Sequence, residues 1–443
     1  MGLRVGFAET AITPPLGTQK IGWIIRIISD RVLDDLCARV AVFESDGGAI
    51  ALVNLDTLSI RWTTANEIRR RISSRYGFPG AQIMVAGTHN HAGPAISGLG
   101  EDTRRDDAYV ETLTERVVAT FGAALANRQD AEIGLASGFE FDVSHNRRII
   151  MRDGTVKTLH SFNDPQALCL EGPIDPEVAV LAARSRAGQP LGLIVNFACH
   201  PVHHGGTTEL SGGYPGVLGR EMRQRGWPVT LFLNGACGNL QDADLCRGGK
   251  SKSKEEIGAI LAADAEVIVK KLTFSDAAAL RARSTTIQLP YRRLTKAQIS
   301  GTARGVQRFV DPGAYDRAMP ALIERIRTRK TQPAEVQVLS VNDWDFAAIP
   351  AEFFVQNGLK IKEQSHPRHA LVVSIANGMV GYVPHREAFR RGGYETTFGP
   401  GSRLAPEAGD MLVDAAVALI CGERSADRLP CESEGGHAVV TEL

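Results

Sequence analysis

The segment Gln82-Ile83-Met84-Val85-Ala86-Gly87-Thr88-His89-Asn90-His91-Ala92-Gly93-Pro94 decides how this chain is read. Its first five residues form a short apolar run that reads as a buried strand, and the run breaks at Gly87 into a loop carrying two histidines. In an extended His-x-His the two rings stand side by side on one face a full strand repeat apart, which gives one metal ligand and one residue for another task. A turn at Gly87 and Gly93 would instead let both rings converge. Imidazoles on a glycine-flanked loop at a strand end suit a functional site.

The design recurs at 191–206, where an apolar run ending in Asn196-Phe197 leads into Ala198-Cys199-His200-Pro201-Val202-His203-His204-Gly205-Gly206. Five of the 11 histidines fall in these two segments. A zinc site needs three or four ligands converging from separate elements, and two histidine-bearing strand ends provide that. His203 and His204 read equally well as loop residues, as proton carriers or as ligands of a second ion. A carboxylate would complete a hydrolytic site, and Glu352, in Ala348-Ile349-Pro350-Ala351-Glu352-Phe353, follows a third apolar run. By itself it also reads as an acid at a helix N-terminus.

Around these segments strands and helices alternate. Short aliphatic runs at 38–44, 50–55, 82–86, 191–197, 229–233, 335–341, 345–349 and 370–375 predict strands, with Asn342-Asp343 as a hairpin turn. Helical periodicity covers 65–76, 107–127, 214–225, 254–272, 315–329 and 408–421. The expected class is α/β, with layered mixed sheets flanked by helices and chemistry at the strand carboxyl ends.

The chain has 443 residues, with 50 Lys+Arg against 50 Asp+Glu. A balanced charge without a basic run argues against nucleic acid as a partner. With 43% hydrophobic and 23% charged residues it reads as an ordinary globular protein. No apolar run reaches the ~18 residues of a membrane span; the nearest, 117–126, contains Gly122 and is bounded by Arg116 and Asn127. Residues 1–6 do not form a secretory leader, and seven scattered cysteines without a CxxC pair suit a reducing, cytoplasmic setting.

The ordered set THNHAGP, NFACH, FLNGACGN, IPAEF, ANGMVGYVP and YETTFGP, after the opening AETAITPPLG, resembles the catalytic domain of the neutral/alkaline, non-lysosomal ceramidase family. The resemblance runs from residue 4 to residue 422. It implies a zinc hydrolase domain over 1–425 and a polar tail over 426–443, without the family's C-terminal immunoglobulin-like domain. It also implies Zn²⁺ held by His89, His200, Glu352 and Tyr382, with His91, Arg147 and Tyr394 lining the substrate site.

One position departs from the family. Its serine, in a Gly-Asp-Val-Ser-Pro-type segment, is matched by Gln241 in Gly238-Asn239-Leu240-Gln241-Asp242. Glutamine neither attacks nor deprotonates, so the expected nucleophile is a zinc-activated water. Cys237 is read as a buried structural thiol rather than a substitute nucleophile. The expected substrate is a soluble small-molecule amide. A lactone or ester is the alternative on the same site, and an inactive zinc- or ligand-binding homologue is the alternative outside catalysis.

Overall fold

A computed structural model describes residues 2–23, 25–98, 104–309 and 311–422. The expected tail at 426–443 lies outside the described residues. Two sheets stack face to face. The first contains β1 (Arg4–Ala11), β2 (Cys37–Ser45), β3 (Gly48–Leu55), β4 (Ile83–Gly87), β5 (Gln129–Phe139), β6 (Glu177–Ser185), β7 (Pro190–Phe197) and β8 (Thr230–Asn234), in the order β8-β7-β6-β5-β1-β2-β3-β4. The second contains β9 (Leu280–Pro290), β10 (Thr331–Val341), β11 (Trp344–Ile349) and β12 (His369–Ser374), in chain order.

Seven longer helices cover the outer faces: α1 (Trp62–Tyr76), α2 (Asp107–Ala126), α3 (Gly213–Gln224), α4 (Lys254–Val269), α5 (Pro312–Arg329), α6 (Val355–Gln364) and α7 (Ala408–Cys421). Local chemistry sets their ends. Asp106 accepts the Tyr109 N–H ahead of α2, and Ser253 forms a reciprocal box with Glu256 at α4.

The alternation of side chains along each strand produces the layers. Ala41, Phe43, Leu52 and Met84 face the second sheet and pack with Leu339, Val341, Phe346 and Leu371. The intervening Val40, Val42, Val53 and Val85 face Ile68 and Ile72 of α1 and Leu113, Val117 and Phe121 of α2. Val180, Val195 and Phe232 meet α3 and α4, and the outer face of the second sheet meets α6 and α7. Each fully buried Leu, Ile or Phe in these interfaces contributes roughly 1.5–3 kcal/mol. Strands covered on both faces lose polar alternation, which is why they read as continuous apolar runs.

Most pairings are antiparallel. The parallel ones among these longer strands are β3 with β4, β7 with β8 and β11 with β12. Each is a strand–helix–strand unit, crossing through α1, α3 and α6 respectively. The hairpin between β10 and β11 turns at Asn342-Asp343 as expected, with Asn342 at φ 57°. β1, β5, β6, β9 and α6 lie beyond the elements expected from periodicity. β5 contains Ala and Gly at positions where β-branched residues are favoured, and it forms because β1 and β6 pair with it on either side.

One polar junction ties the layers. Glu177, at the start of β6, accepts from Lys362 Nζ of α6 at 2.8 Å and from His369 Nε2 of β12 at 2.6 Å. Burial alone would raise its pKa, but the His369 hydrogen bond and the Lys362 charge bring it from 4.5 down to about 2. A depressed carboxylate stabilises the fold above its unfolded pKa, and that contribution disappears as pH falls from about 4.5 to about 2. Glu177→Gln is expected to lower unfolding free energy by roughly 2–3 kcal/mol at neutral pH and to flatten the acid limb over that window. Chemical denaturation at stepped pH measures both effects.

Candidate metal centre

β4 ends at Gly87, and an added Cβ there would lie 2.9 Å from the Thr57 carbonyl oxygen, so the glycine permits close passage beside that loop. The turn itself falls at His89, which adopts φ 68° while its N–H donates to Thr57 O at 3.0 Å. A non-glycine residue in the left-handed region is uncommon and gathers at functional sites. This local twist settles the two geometries open to the sequence. The His89 and His91 rings converge, with centroids 5.0 Å apart.

His200, directly beyond β7, completes the cluster. Its Nε2 lies 3.0 Å from His89 Nε2 and 3.0 Å from His91 Nε2. The opposite nitrogens are all directed at main-chain carbonyls: His89 Nδ1 donates to Leu58 O at 2.7 Å, His91 Nδ1 to Gly22 O at 2.9 Å and His200 Nδ1 to Cys237 O at 3.3 Å. A carbonyl only accepts, so these contacts favour the tautomer with the proton on Nδ1, which leaves Nε2 as the ligating atom. Burial, reinforced by the neighbouring His89, holds the pKa of His91 and of His200 well below the ordinary imidazole value.

Glu352 Oε2 lies 3.4 Å from His89 Nε2 and 4.0 Å from His200 Nε2. Three ring nitrogens and a carboxylate converging in a buried space are stabilised by a cation between them. Main-chain acceptors behind the ligating imidazoles are the usual outer support of a metal centre. The donors present therefore fit a divalent ion. Among the described residues no other group of three such side chains converges.

Glu352 arrives on a two-residue strand, Glu352–Phe353, paired in parallel with Tyr382–Val383 so that Glu352 and Tyr382 are register partners. Gly238 lets this strand approach, since a Cβ there would lie 2.5 Å from Glu352 O. Tyr382 hydrogen-bonds Glu352 and accepts from Arg147 Nη2 at 3.2 Å. Burial, then the Glu352 charge, pushes its phenol pKa well up. Tyr394 meets Tyr382 edge-on at 5.5 Å, and burial raises its pKa also. Both phenols keep their protons at neutral pH.

Arg147 occupies the space beside them. Its Nη2 donates to Gly238 O at 2.8 Å, its Nη1 lies 3.5 Å from His200 Nδ1, and its Nε donates to Glu395 Oε1 at 2.9 Å. Glu395 is fully buried between two guanidiniums, receiving Arg148 Nη1 at 2.6 Å and Thr158 Oγ1 at 2.8 Å. Sequence reasoning passed over Glu395, although its place beside Tyr394 in YETTFGP was a signal. A buried acid between two arginines fixes Arg147 in position.

Gln241 is buried on a short strand, Leu240–Gln241, that pairs with His145–Asn146 just ahead of Arg147. Cys237 contributes its carbonyl to His200, while burial, then Glu352, pushes its thiol pKa up. A protonated thiol suits the structural reading of Cys237. His203 and His204 do not join the cluster. His203 Nε2 donates to Lys252 O at 3.0 Å, and His204 Nδ1 faces Glu209 at 3.7 Å.

No protein-family model matches the chain. Two solved structures share its fold. The neutral ceramidase from Pseudomonas aeruginosa superposes with a TM-score of 0.72 at 20% identity, covering 95% of this chain and 74% of that one. A ceramidase complexed with C2 gives 0.71 at 19% identity, covering 95% and 75%. The architecture is thus the neutral ceramidase fold, with the layered α/β organisation expected from the sequence.

The buried Arg147–Glu395–Arg148 triad gives a test that does not involve metal. Removing a partner from a buried ion pair costs about 3–5 kcal/mol, because charges are left uncompensated. Glu395→Ala is expected to lose that much in urea denaturation, against less than about 0.5 kcal/mol for exposed Glu387→Ala.

Proposed function

We propose that the chain is a zinc-dependent hydrolase cleaving a carbon–nitrogen amide bond of a small, soluble, non-peptide molecule. The observation that carries this reading is the set of three buried imidazoles in which His200 Nε2 lies 3.0 Å from the Nε2 atoms of His89 and His91, beside the Glu352 carboxylate. Nitrogen donors with one carboxylate are the ligand set of hydrolytic zinc. An ion held there would supply Lewis acidity and make water nucleophilic near neutral pH. The shared fold with two ceramidases favours an amide. Gln241 and a protonated Cys237 offer no side-chain nucleophile, which favours attack by water.

His89, His200 and Glu352 are assigned as ligands, with Tyr382 as the fourth. Arg147 holds a permanent positive charge next to His200 and Tyr382, suited to the oxyanion of a tetrahedral intermediate, and the Tyr394 phenol can donate to the same oxygen. His91 is assigned to carry the proton to the leaving amine, its ring held by Gly22 O. We place the protein in the cytoplasm, because the six described cysteines are all free and a reducing compartment keeps them so. No described helix is long and apolar enough to cross a membrane.

A library of soluble amides, each paired with its isosteric ester or lactone, tests the reaction. Chelator-sensitive amide turnover that returns with zinc is expected, with Arg147→Met lowering kcat by about 10²–10³-fold. Ester turnover alone would replace the amidase reading with an esterase. No chelator-sensitive turnover in zinc-loaded protein would leave a binding protein.

Metal stoichiometry separates the two tasks assigned to His91 and Tyr382. His200→Ala and Tyr382→Phe are expected to lose zinc, and His91→Ala to retain it while losing activity. Zinc lost from His91→Ala but kept by Tyr382→Phe would make His91 the fourth ligand.

A further inference from the structure

Six arginines are buried among the described residues: Arg39, Arg69, Arg147, Arg148, Arg292 and Arg403. Four of them face carboxylates. Arg39 pairs with Asp56 and Glu9, Arg69 with Glu335, and Arg147 and Arg148 with Glu395. Arg292 differs. Its Nε donates to Leu404 O at 3.3 Å, its Nη1 to Thr396 O at 2.7 Å and its Nη2 to Ser402 Oγ at 3.1 Å, all neutral acceptors. Among the described residues no carboxylate is paired with it. Burial lowers its pKa to about 10, which leaves it charged at neutral pH.

This charge lines a cavity of about 590 Å³ that shares no lining residue with the imidazole cluster. Phe389 and Phe398 flank the guanidinium, with ring centroids 4.7 and 6.0 Å from its central carbon. Arg293 and Arg304, both exposed, line the same cavity, and Glu407 is the one acid of its wall. The lining is therefore net positive. The three bonds above use three of the five N–H donors of a guanidinium, so two remain available. Arg403 accepts the Arg292 backbone N–H on its carbonyl at 3.0 Å, which fixes the main chain at the root of this side chain. A desolvated charge is retained at little cost only when something opposite meets it.

We propose that this cavity binds a small soluble oxyanion, a phosphate or carboxylate group held by Arg292 from the wall and by Arg293 and Arg304 from the rim. Planar donor forks match both groups bidentately, and burial of Arg292 against Phe389 and Phe398 strengthens the attraction at the inner wall. The cavity abuts the turn Tyr394–Thr396, whose Thr396 carbonyl receives Arg292 while the adjacent Glu395 receives Arg147.

Calorimetric titration of the full chain with inorganic phosphate, and separately with citrate, at constant ionic strength tests this. Saturable binding of at least one is expected; phosphate alone or citrate alone would assign the group. Ala303→Glu places a carboxylate in the lining and is expected to abolish binding. Arg293→Gln, at an exposed position, is expected to weaken it about tenfold without changing the fold. Absence of saturable binding of either anion to the folded wild type would overturn the proposal. Affinity unchanged in Arg293→Gln, or retained in a folded Ala303→Glu, would overturn it as well, because the anion would then sit elsewhere, including at a bound metal.

Discussion

Three imidazoles converge Nε2 to Nε2 in a buried interior, an arrangement that a bound cation stabilises. The Nε2 atom of His200 lies 3.0 Å from that of His89 and 3.0 Å from that of His91. What enforces this is outside the cluster, in the carbonyls of Leu58, Gly22 and Cys237, which claim the Nδ1 protons. Those carbonyls belong to three separate loops. The two sheets and their helices are the frame that holds the loops at fixed distances.

The frame has a particular grain. Its body is antiparallel, and parallel pairing among the long strands is confined to three crossover units. Each unit supplies one part of the centre from a strand carboxyl end: β4 leads to His89 and His91, β7 to His200, and β11 to Glu352. At such ends the chain leaves the sheet for a loop, and main-chain groups are released from the ladder to serve a site. The antiparallel strands between them are spacers. They bring the two ends of the sheet together, where Asn54 of β3 bonds the main chain of Phe232 in β8, and contribute the apolar area that stabilises the whole.

The strands that frame the site were legible in the sequence because they are buried on both faces and so read as unbroken apolar runs. The imidazole segments were legible because histidine is rare elsewhere in this chain and clustered at strand ends. β5 escaped because Ala, Gly and Ser fill positions that pairing and packing make extended, and β9 because charged and polar residues interrupt its apolar positions. The left-handed turn at His89 escaped for a different reason. Nothing local favours it over extended chain, and the hydrogen bonds that fix it come from residues far from that turn in the sequence. Glu395 and Arg292 are likewise defined by what lies opposite them, at separations of more than a hundred residues.

The outer support of the imidazoles is main chain, and this bears on how the centre ages over evolutionary time. A carbonyl is the same in every residue type, so substitution at position 58 or 237 leaves the acceptor in place as long as the backbone path survives, whereas at Gly22 an added Cβ would lie 2.2 Å from His91 O. Drift in the sequence around Leu58 and Cys237 can therefore run far without touching these two acceptors. Vulnerability concentrates instead in the ligands themselves and in changes that bend the path. A proline after Thr57 would bend that path and displace the Leu58 carbonyl from His89 Nδ1.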